Sequence, residues 1–103
     1  MERDKHKTIV IFRVWKDKTE GVLALFPEIP FSNDGYECAS YAHVGQHGAA
    51  DYTGCTMATR PAKPEEYADL ARELTGRGYN LDVRSRVATY THARRIAEAR
   101  RSA

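Results

Sequence analysis

Runs of apolar residues separated by polar segments divide the first third of the chain into strands and turns. Residues 8–15 are rich in β-branched and aromatic side chains on both alternating faces, which predicts a central β-strand. A polar loop, 16–21, leads to a second apolar run at 22–26, and the two runs together predict a β-hairpin. Two prolines in 27–31 predict an extended connection, and the Ser-Asn-Asp-Gly sequence of 32–35 predicts a turn whose glycine has a positive φ.

A third strand is predicted for residues 36–44, where small and larger side chains alternate. One face of this strand carries Cys38 and Ser40, and the other carries Tyr41 and His43. The face with the small residues suits packing against a helix. We therefore expect Tyr41 and His43 on the other face of the sheet or at its rim.

The second half of the chain changes from strand-like to helical periodicity. Residues 52–60 predict a fourth strand, although a glycine and several threonines specify its register poorly. Residues 64–74 predict an amphipathic helix, because a proline and two acids open it and its apolar residues recur at i, i+3, i+4 and i+7. Strict alternation over 79–84 predicts an antiparallel or edge strand, and a short helix is expected from Thr89 or Thr91.

These elements predict a single α+β domain over residues 1–103. Its core, 1–86, is expected to be a mostly antiparallel sheet of four to five strands with one amphipathic helix packed on one face. Residues 87–103 are expected to form a basic C-terminal helix or tail that docks loosely or frays. The opposite face of the sheet is then partly polar and open, and we expect other molecules to bind there.

Charge is distributed unevenly along the chain, whose formal net charge is +2. From Arg84 onward there are six arginines and one acid, so this part carries +5 and the preceding part −3. No apolar run is long enough to span a bilayer, and residues 1–7 lack the apolar region of a signal peptide, so a cytoplasmic location without a membrane partner is expected. Cys38 and Cys55 should then be reduced thiols on half-buried strands.

The segment 43–52 concentrates two histidines, two glycines, a carboxamide and a carboxylate between predicted strands. Glycine lets the backbone approach a partner closely, and histidine supplies hydrogen bonds near neutral pH. We predict a ligand- or partner-binding site here, with no catalytic residue, no cofactor and no bound metal. The predicted binding residues are Tyr41, His43, Gly45, Gln46, His47, Gly48, Asp51 and Tyr52.

Two other interpretations of this segment stay open. The first is a small metal- or histidine-dependent enzyme in which one histidine acts as a base that Asp51 orients. A metal would need further donors; Cys38 and Cys55 are nearest in sequence, but the spacing matches no zinc module and Cys38 falls on the strand face opposite His43. The second is a structural loop in which His43 caps the strand and the residues that follow form an exposed tip.

The arginine-rich C-terminus supports a nucleic-acid-associated accessory protein as an alternative function. On a helix, four arginines lie close enough to form one patch that contacts phosphates, although Tyr90 is the one aromatic residue nearby that could stack on a base. These arginines are Arg94, Arg95, Arg100 and Arg101. A solvated basic helix is the simpler interpretation.

Aromatic side chains exceed what one helix can cover on so small a sheet. Those expected to remain partly exposed come from Trp15, Phe31, Tyr36, Tyr41 and Tyr52. Tyrosine and tryptophan are common anchors of protein interfaces, so we expect self-association or partner binding.

Residues 24–30, 40–50, 64–67 and 78–81 together resemble a family of small uncharacterised bacterial proteins that occur on plasmids, phages and integrated elements. The resemblance covers most of the chain up to about Val83 and leaves out the arginine-rich tail. It implies a mobile-element context, in which small proteins often regulate or inhibit by binding, and it implies no activity for particular residues.

Taken together, these patterns predict a small non-enzymatic interaction protein that is a homo-oligomer or a partner-binding module. Its contact surface is expected to be the open sheet face and the segment 43–52. In the mobile-element context, the partner would be a host regulatory or defence component.

Overall fold

The computed structural model describes residues 7–16, 21–31, 35–42, 46–50, 52–86 and 91–102. The strands within these ranges are β1 (Thr8–Trp15), β2 (Val22–Pro30), β3 (Cys38–Ala42), β4 (Gln46–Ala50), β5 (Thr59–Pro61) and β6 (Leu81–Val83). The helices are α1 (Tyr52–Ala58), α2 (Pro64–Gly76) and α3 (Thr91–Ser102).

One sheet organises these elements, with the strand order β4-β3-β2-β1-β5 and antiparallel pairing along this path. The short β6 runs parallel to the N-terminal half of β1, and β5 pairs with the C-terminal half. Both lie on the same edge of β1, because the carbonyls of Val10 and Phe12 point to the same side and accept from Arg84 and Ala62, respectively. The α+β class, the mostly antiparallel sheet and the central position of β1 are confirmed.

Helix α2 packs on one face of the sheet, which we call the α2 face. The buried residues of this face are Val10, Phe12, Ala24, Phe26, Tyr41, Leu70 and Leu74. Phe12 stacks on Tyr67 with ring centroids 4.4 Å apart, and Phe26 stacks on Tyr79 at 5.2 Å. The helix expected over 64–74 is thus confirmed, together with its apolar stripe.

The prediction of which β3 face meets this helix is wrong. Tyr41 lies on the α2 face and is fully buried, whereas Cys38 and Ser40 lie on the opposite face. Alternation along a strand determines which residues share a face, but it does not determine which face a helix covers. Here the large aromatic side chain fills the space beneath α2.

The opposite face of the sheet, which we call the α1–α3 face, is also covered, so the expected open face is not present. The side chains that fill it are Leu23, Leu25, Cys38, Ala50, Trp15, Tyr52 and Cys55. Helix α3 contacts β2, and Tyr52 of α1 meets His92 of α3 edge to face with ring centroids 5.3 Å apart. Both faces of the sheet therefore carry helices.

The segment 52–60, predicted as a fourth strand, forms helix α1 and the first residues of β5 instead. Arg13 of β1 donates from Nε to Thr59 Oγ1 at 2.8 Å, and from Nη2 to the carbonyls of Thr56 at 3.0 Å and Thr59 at 2.7 Å. Lys16 Nζ donates to another α1 carbonyl at 3.0 Å. Arg13 of β1 and Lys16, which directly follows this strand, thus stabilise the negative end of α1. These bonds join distant parts of the chain, so the local sequence pattern does not reveal them.

Two strand boundaries also differ from the prediction. Strand β2 continues through Pro27 to Pro30, and its pairing with β3 shifts register between Phe26 and Pro30. Such an irregularity accommodates prolines, because it interrupts the ladder of hydrogen bonds to which they cannot donate. Residues 46–50, expected within a loop, form strand β4.

The C-terminal helix expected from Thr91 is confirmed as α3, but it is firmly anchored where loose docking was expected. Thr91, Arg95 and Ala99 are buried. Gly35 has a φ of 78°, as its turn sequence predicts, and a Cβ there would lie 2.7 Å from Ile96 Cα and 2.8 Å from the Arg95 carbonyl oxygen. Only glycine permits this approach. None of the helices in the described ranges is both long and apolar enough to cross a membrane.

Candidate functional site

The β3–β4 hairpin holds the middle of the segment that the sequence marks as a binding site. Three of the predicted residues lie on β4: Gln46, His47 and Gly48. Gly48 pairs with Ser40 of β3, whose Oγ donates to the Gly48 carbonyl at 3.0 Å. Three other predicted residues lie outside the described ranges: His43, Gly45 and Asp51.

Strand β4 lies at the outer edge of the sheet. It pairs with β3 and with no other strand in the described part of the chain. Alternate residues of such a strand direct their N–H and C=O groups away from the single neighbour. The sequence Gln-His-Gly-Ala-Ala contains no lysine, arginine, acid or proline, which are the residues that commonly protect an edge from pairing. The β4 edge is therefore a template for strand addition.

Tyr41 belongs to the core, so its predicted role in binding is not supported by its position. Its hydroxyl donates to the Glu73 carboxylate of α2, and the Arg77 guanidinium lies over its ring, 5.5 Å from the centroid. These contacts join β3 to α2.

Tyr52 lies on the α1–α3 face, where it is half-buried. Burial raises the pKa of its hydroxyl above the ordinary 10.0, because it disfavours the phenolate. Arg13 lowers this pKa and Cys38 raises it to smaller extents. The sheet therefore separates Tyr41 from Tyr52, so these two predicted residues do not belong to one site.

The two thiols and the acids do not assemble a metal centre in the residues that the structure describes, which hold no group of three or more His, Cys, Asp or Glu suited to an ion. Cys38 is buried on β3 and Cys55 is half-buried on α1, where the sequence predicts a strand; neither forms a disulfide. The histidine–carboxylate pair of the enzyme hypothesis involves His43 and Asp51, which lie outside the described ranges.

Arg95 is enclosed beneath α3 and is 3% exposed. Its Nε donates to the Gly35 carbonyl at 2.7 Å, its Nη1 to the Pro27 carbonyl at 2.8 Å and its Nη2 to the Tyr36 carbonyl at 3.2 Å. Nη2 also lies 2.9 Å from His92 Nδ1. This arginine therefore holds α3 against the connection between β2 and β3 and is not available to a phosphate.

The remaining C-terminal arginines do not form the single patch that the sequence predicts. Arg94 lines a cavity of about 280 Å³ together with the acids Glu28 and Glu98. Arg100 and Arg101 line a different concavity along α3. Arg95 is thus buried, Arg94 lies beside carboxylates, and the other two arginines lie together.

That second concavity, of about 620 Å³, runs between Tyr36 and the outer side of α3, and we call it the Tyr36–α3 groove. Its lining residues are Tyr36, Ala93, Ile96, Ala97, Arg100 and Arg101. Tyr36 is 61% exposed and Phe31 is 52% exposed. Of the five aromatic residues among which some were expected to stay accessible, these two are exposed, Trp15 and Tyr52 are half-buried, and Tyr41 is buried.

The β4 edge and the Tyr36–α3 groove are the two surfaces that sequence reasoning did not identify. The neutral, proline-free sequence of 46–50 is a signal for an unprotected edge strand, but its glycine and histidine are equally typical of a loop. The groove depends on Tyr36 meeting α3, and no local pattern predicts that contact.

Comparison with known proteins adds no relative: no protein-family model, no curated protein and no solved structure matches the chain. The resemblance to small mobile-element proteins therefore stays a prediction.

Proposed function

We propose that this protein is a non-enzymatic interaction protein that joins another chain by strand pairing at the β4 edge, with a second copy of itself as the first partner. The observation that carries the proposal is the edge of β4, which pairs with β3 alone in the described part of the chain and contains no lysine, arginine, acid or proline. Both sheet faces are covered by helices. We therefore assign to the β4 edge the partner binding that the sequence analysis assigned to an open face.

Self-pairing is supported by the character of the strand. β4 is five residues long, and Gly48 is its middle residue. Two copies related by a two-fold axis would pair β4 against β4 in antiparallel fashion with Gly48 near the axis. No lysine, arginine or acid of one strand would face a like charge of the other, and glycine and alanine allow close approach.

The cellular setting belongs to the same proposal. A cytoplasmic location is in keeping with two cysteines that form no disulfide, because the cytosol keeps cysteines reduced. In the mobile-element context, we propose that the heterologous partner is a host regulatory or defence protein that offers an exposed strand.

The proposal is tested by the mass of the protein in solution. We expect size-exclusion chromatography with light scattering to show a concentration-dependent dimer with a dissociation constant between about 1 μM and 1 mM, or about −8 to −4 kcal/mol. A chain that stays monomeric at millimolar concentration would contradict self-pairing.

Substitution of Gly48 locates the interface. A Cβ at Gly48 would meet only Ser40 Oγ, at an ordinary 3.7 Å, so the folded chain accommodates a side chain there. Gly48→Lys places two ammonium groups near the two-fold axis and should raise the dissociation constant by about tenfold or more, or about 1.4 kcal/mol. Gly48→Ala adds bulk without charge and is the matched control, for which we expect the dimer to persist. Equal dissociation constants for the two variants would place the interface elsewhere.

A further inference from the structure

The Tyr36–α3 groove is a second surface, independent of β4, that the function proposed above does not use. Helix α3 already buries one face, formed by Thr91, Arg95 and Ala99. The groove lies along the next part of the helix surface, where half-buried Ile96 lies among exposed positions. Tyr36 forms the opposite wall and is 61% exposed. A helix side with an apolar floor and an exposed aromatic wall is typical of a protein-binding groove.

The charged residues that line the groove within the described ranges have one sign. They are Arg100 and Arg101, and no acidic residue of these ranges lines it. Arg100 has no ion-pair or hydrogen-bond partner within the described ranges, whereas Arg101 Nη2 lies 3.3 Å from Glu98 Oε2 at its outer end. A partner that fills the groove therefore gains by bringing carboxylates to these two guanidinium groups.

We propose that the Tyr36–α3 groove binds an acidic amphipathic helix of another protein. Apolar side chains of that helix occupy the floor over Ile96 and against Tyr36, and its carboxylates pair with Arg100 and Arg101. Apolar contact supplies the affinity, and the arginines select an acidic partner over a basic one.

Two other occupants fit the groove less well. A second copy of α3 would bring cations to cations, because this helix contains four arginines and one glutamate. A nucleic acid would place phosphates over an apolar floor, and among the described lining residues Tyr36 alone is aromatic and could stack on a base.

The test uses three fluorescein-labelled probes and the full-length protein. The first is a synthetic peptide of about 20 residues, long enough to form a helix, with leucines along one stripe flanked by glutamates. The second has lysine in place of every glutamate, and the third is single-stranded DNA.

Fluorescence anisotropy is measured at about 50 mM and 200 mM salt. We expect the acidic peptide to bind at least about tenfold more tightly than either other probe, with weaker binding at the higher salt. Equal or tighter binding of the lysine peptide or the DNA, or no binding of the acidic peptide, would overturn the proposal.

Variants assign the binding to the groove. Arg100→Ala combined with Arg101→Ala should weaken binding of the acidic peptide about tenfold and reduce its salt dependence. Arg72→Ala combined with Arg86→Ala removes the same charge from exposed positions outside the groove and should leave the affinity unchanged.

Apolar contact is tested separately. Ile96→Asp should abolish binding of the acidic peptide. Ala93→Glu alters an exposed lining position and should weaken binding about tenfold even where Ile96→Asp unfolds the chain. Full affinity in the Ala93→Glu variant would place the peptide elsewhere.

Because Gly48 lies on a different element, the Gly48→Lys variant should bind the peptide normally. Failure of one proposal can therefore be distinguished from failure of the other.

Discussion

Buried polar contacts at single residues determine where α3 lies. Within the described ranges, Arg95 is the only charged side chain that is buried. Its planar guanidinium has five N–H donors and reaches the carbonyl of Pro27 in β2 and those of Gly35 and Tyr36 in the connection that follows. A lysine cannot reproduce that arrangement, because its ammonium group is a single point of charge. Gly35 completes the contact, since α3 lies too close to tolerate a Cβ there.

Removal of this guanidinium should release α3 from the sheet. We expect Arg95→Ala to lower the free energy of unfolding by about 3 kcal/mol or more, because two buried carbonyls and one partly buried carbonyl lose a charged donor. Arg94→Ala removes the same charge from the neighbouring exposed position and should cost less than about 0.5 kcal/mol. Urea unfolding followed by circular dichroism measures both. Similar losses in the two variants would show that the buried hydrogen bonds contribute little.

At the level of elements, the N-terminus of α2 is held by one carboxylate. Glu66 accepts from the Lys63 backbone N–H at 2.9 Å and from two nitrogens of Arg60 at 2.8 and 2.6 Å. The hydrogen bonds from Arg60, and then the one from Lys63, lower the pKa of Glu66 from 4.5 to about 2. The carboxylate thus receives N–H donors at the positive end of the helix.

This depressed pKa gives stability a pH dependence of known sign. The folded state holds the charged form of Glu66, so its contribution is fully present above pH 4.5 and is lost as the pH falls towards 2. We expect the thermal midpoint of the wild type to fall more steeply over this interval than that of Glu66→Gln. Glu65→Gln, which removes an equal charge from the same turn, should retain the wild-type slope. Identical slopes in wild type and Glu66→Gln would contradict the assignment.

The elements that could be predicted are those whose signals are local. The helix over 64–74 shows its full apolar period, and the strand at 8–15 is rich in β-branched residues, so both follow from the sequence. Helix α1 does not, because its C-terminal carbonyls depend on Arg13 of β1 and on Lys16 just after it, both distant in sequence. The face on which Tyr41 lies could not be predicted for a related reason. Alternation along a strand divides its residues between two faces, but it does not show which face a helix covers.

The candidate site was predictable in part. The segment around Gly48 stands out by composition, and the structure places it on the outer strand, yet its neighbours Tyr41 and Tyr52 are directed to opposite faces of the sheet. The cluster of C-terminal arginines is also evident in the sequence. Its division into buried and exposed members depends on how α3 docks, which is a long-range property.

Over the whole molecule, the uneven charge of the sequence is partly neutralised by local contacts. Arg84 pairs with Asp82 at 2.9 Å, and Arg94 shares a cavity with Glu28 and Glu98. With Arg95 buried as well, few arginines remain to contact a nucleic acid together.

We therefore expect only weak binding to nucleic acid. Duplex DNA should bind no more tightly than about 100 μM at physiological salt, within the range of non-specific contacts. Fluorescence anisotropy across a salt series checks this. Steep salt dependence that disappears in Arg94→Ala combined with Arg101→Ala would instead support the nucleic-acid alternative. This pair avoids Arg95, whose loss would disturb the fold.

The far edge of β1 has a consequence for how large an assembly can become. β5 and β6 are three residues long each and run in opposite directions. They pair with the two halves of β1, one on either side of Phe12. Within the described ranges, an incoming strand would find no continuous ladder of one polarity there, and Pro61 withholds one donor. If chains join through β4, the joined sheet terminates at both ends in these interrupted borders. We then expect the assembly to be a closed pair that does not grow further by strand addition.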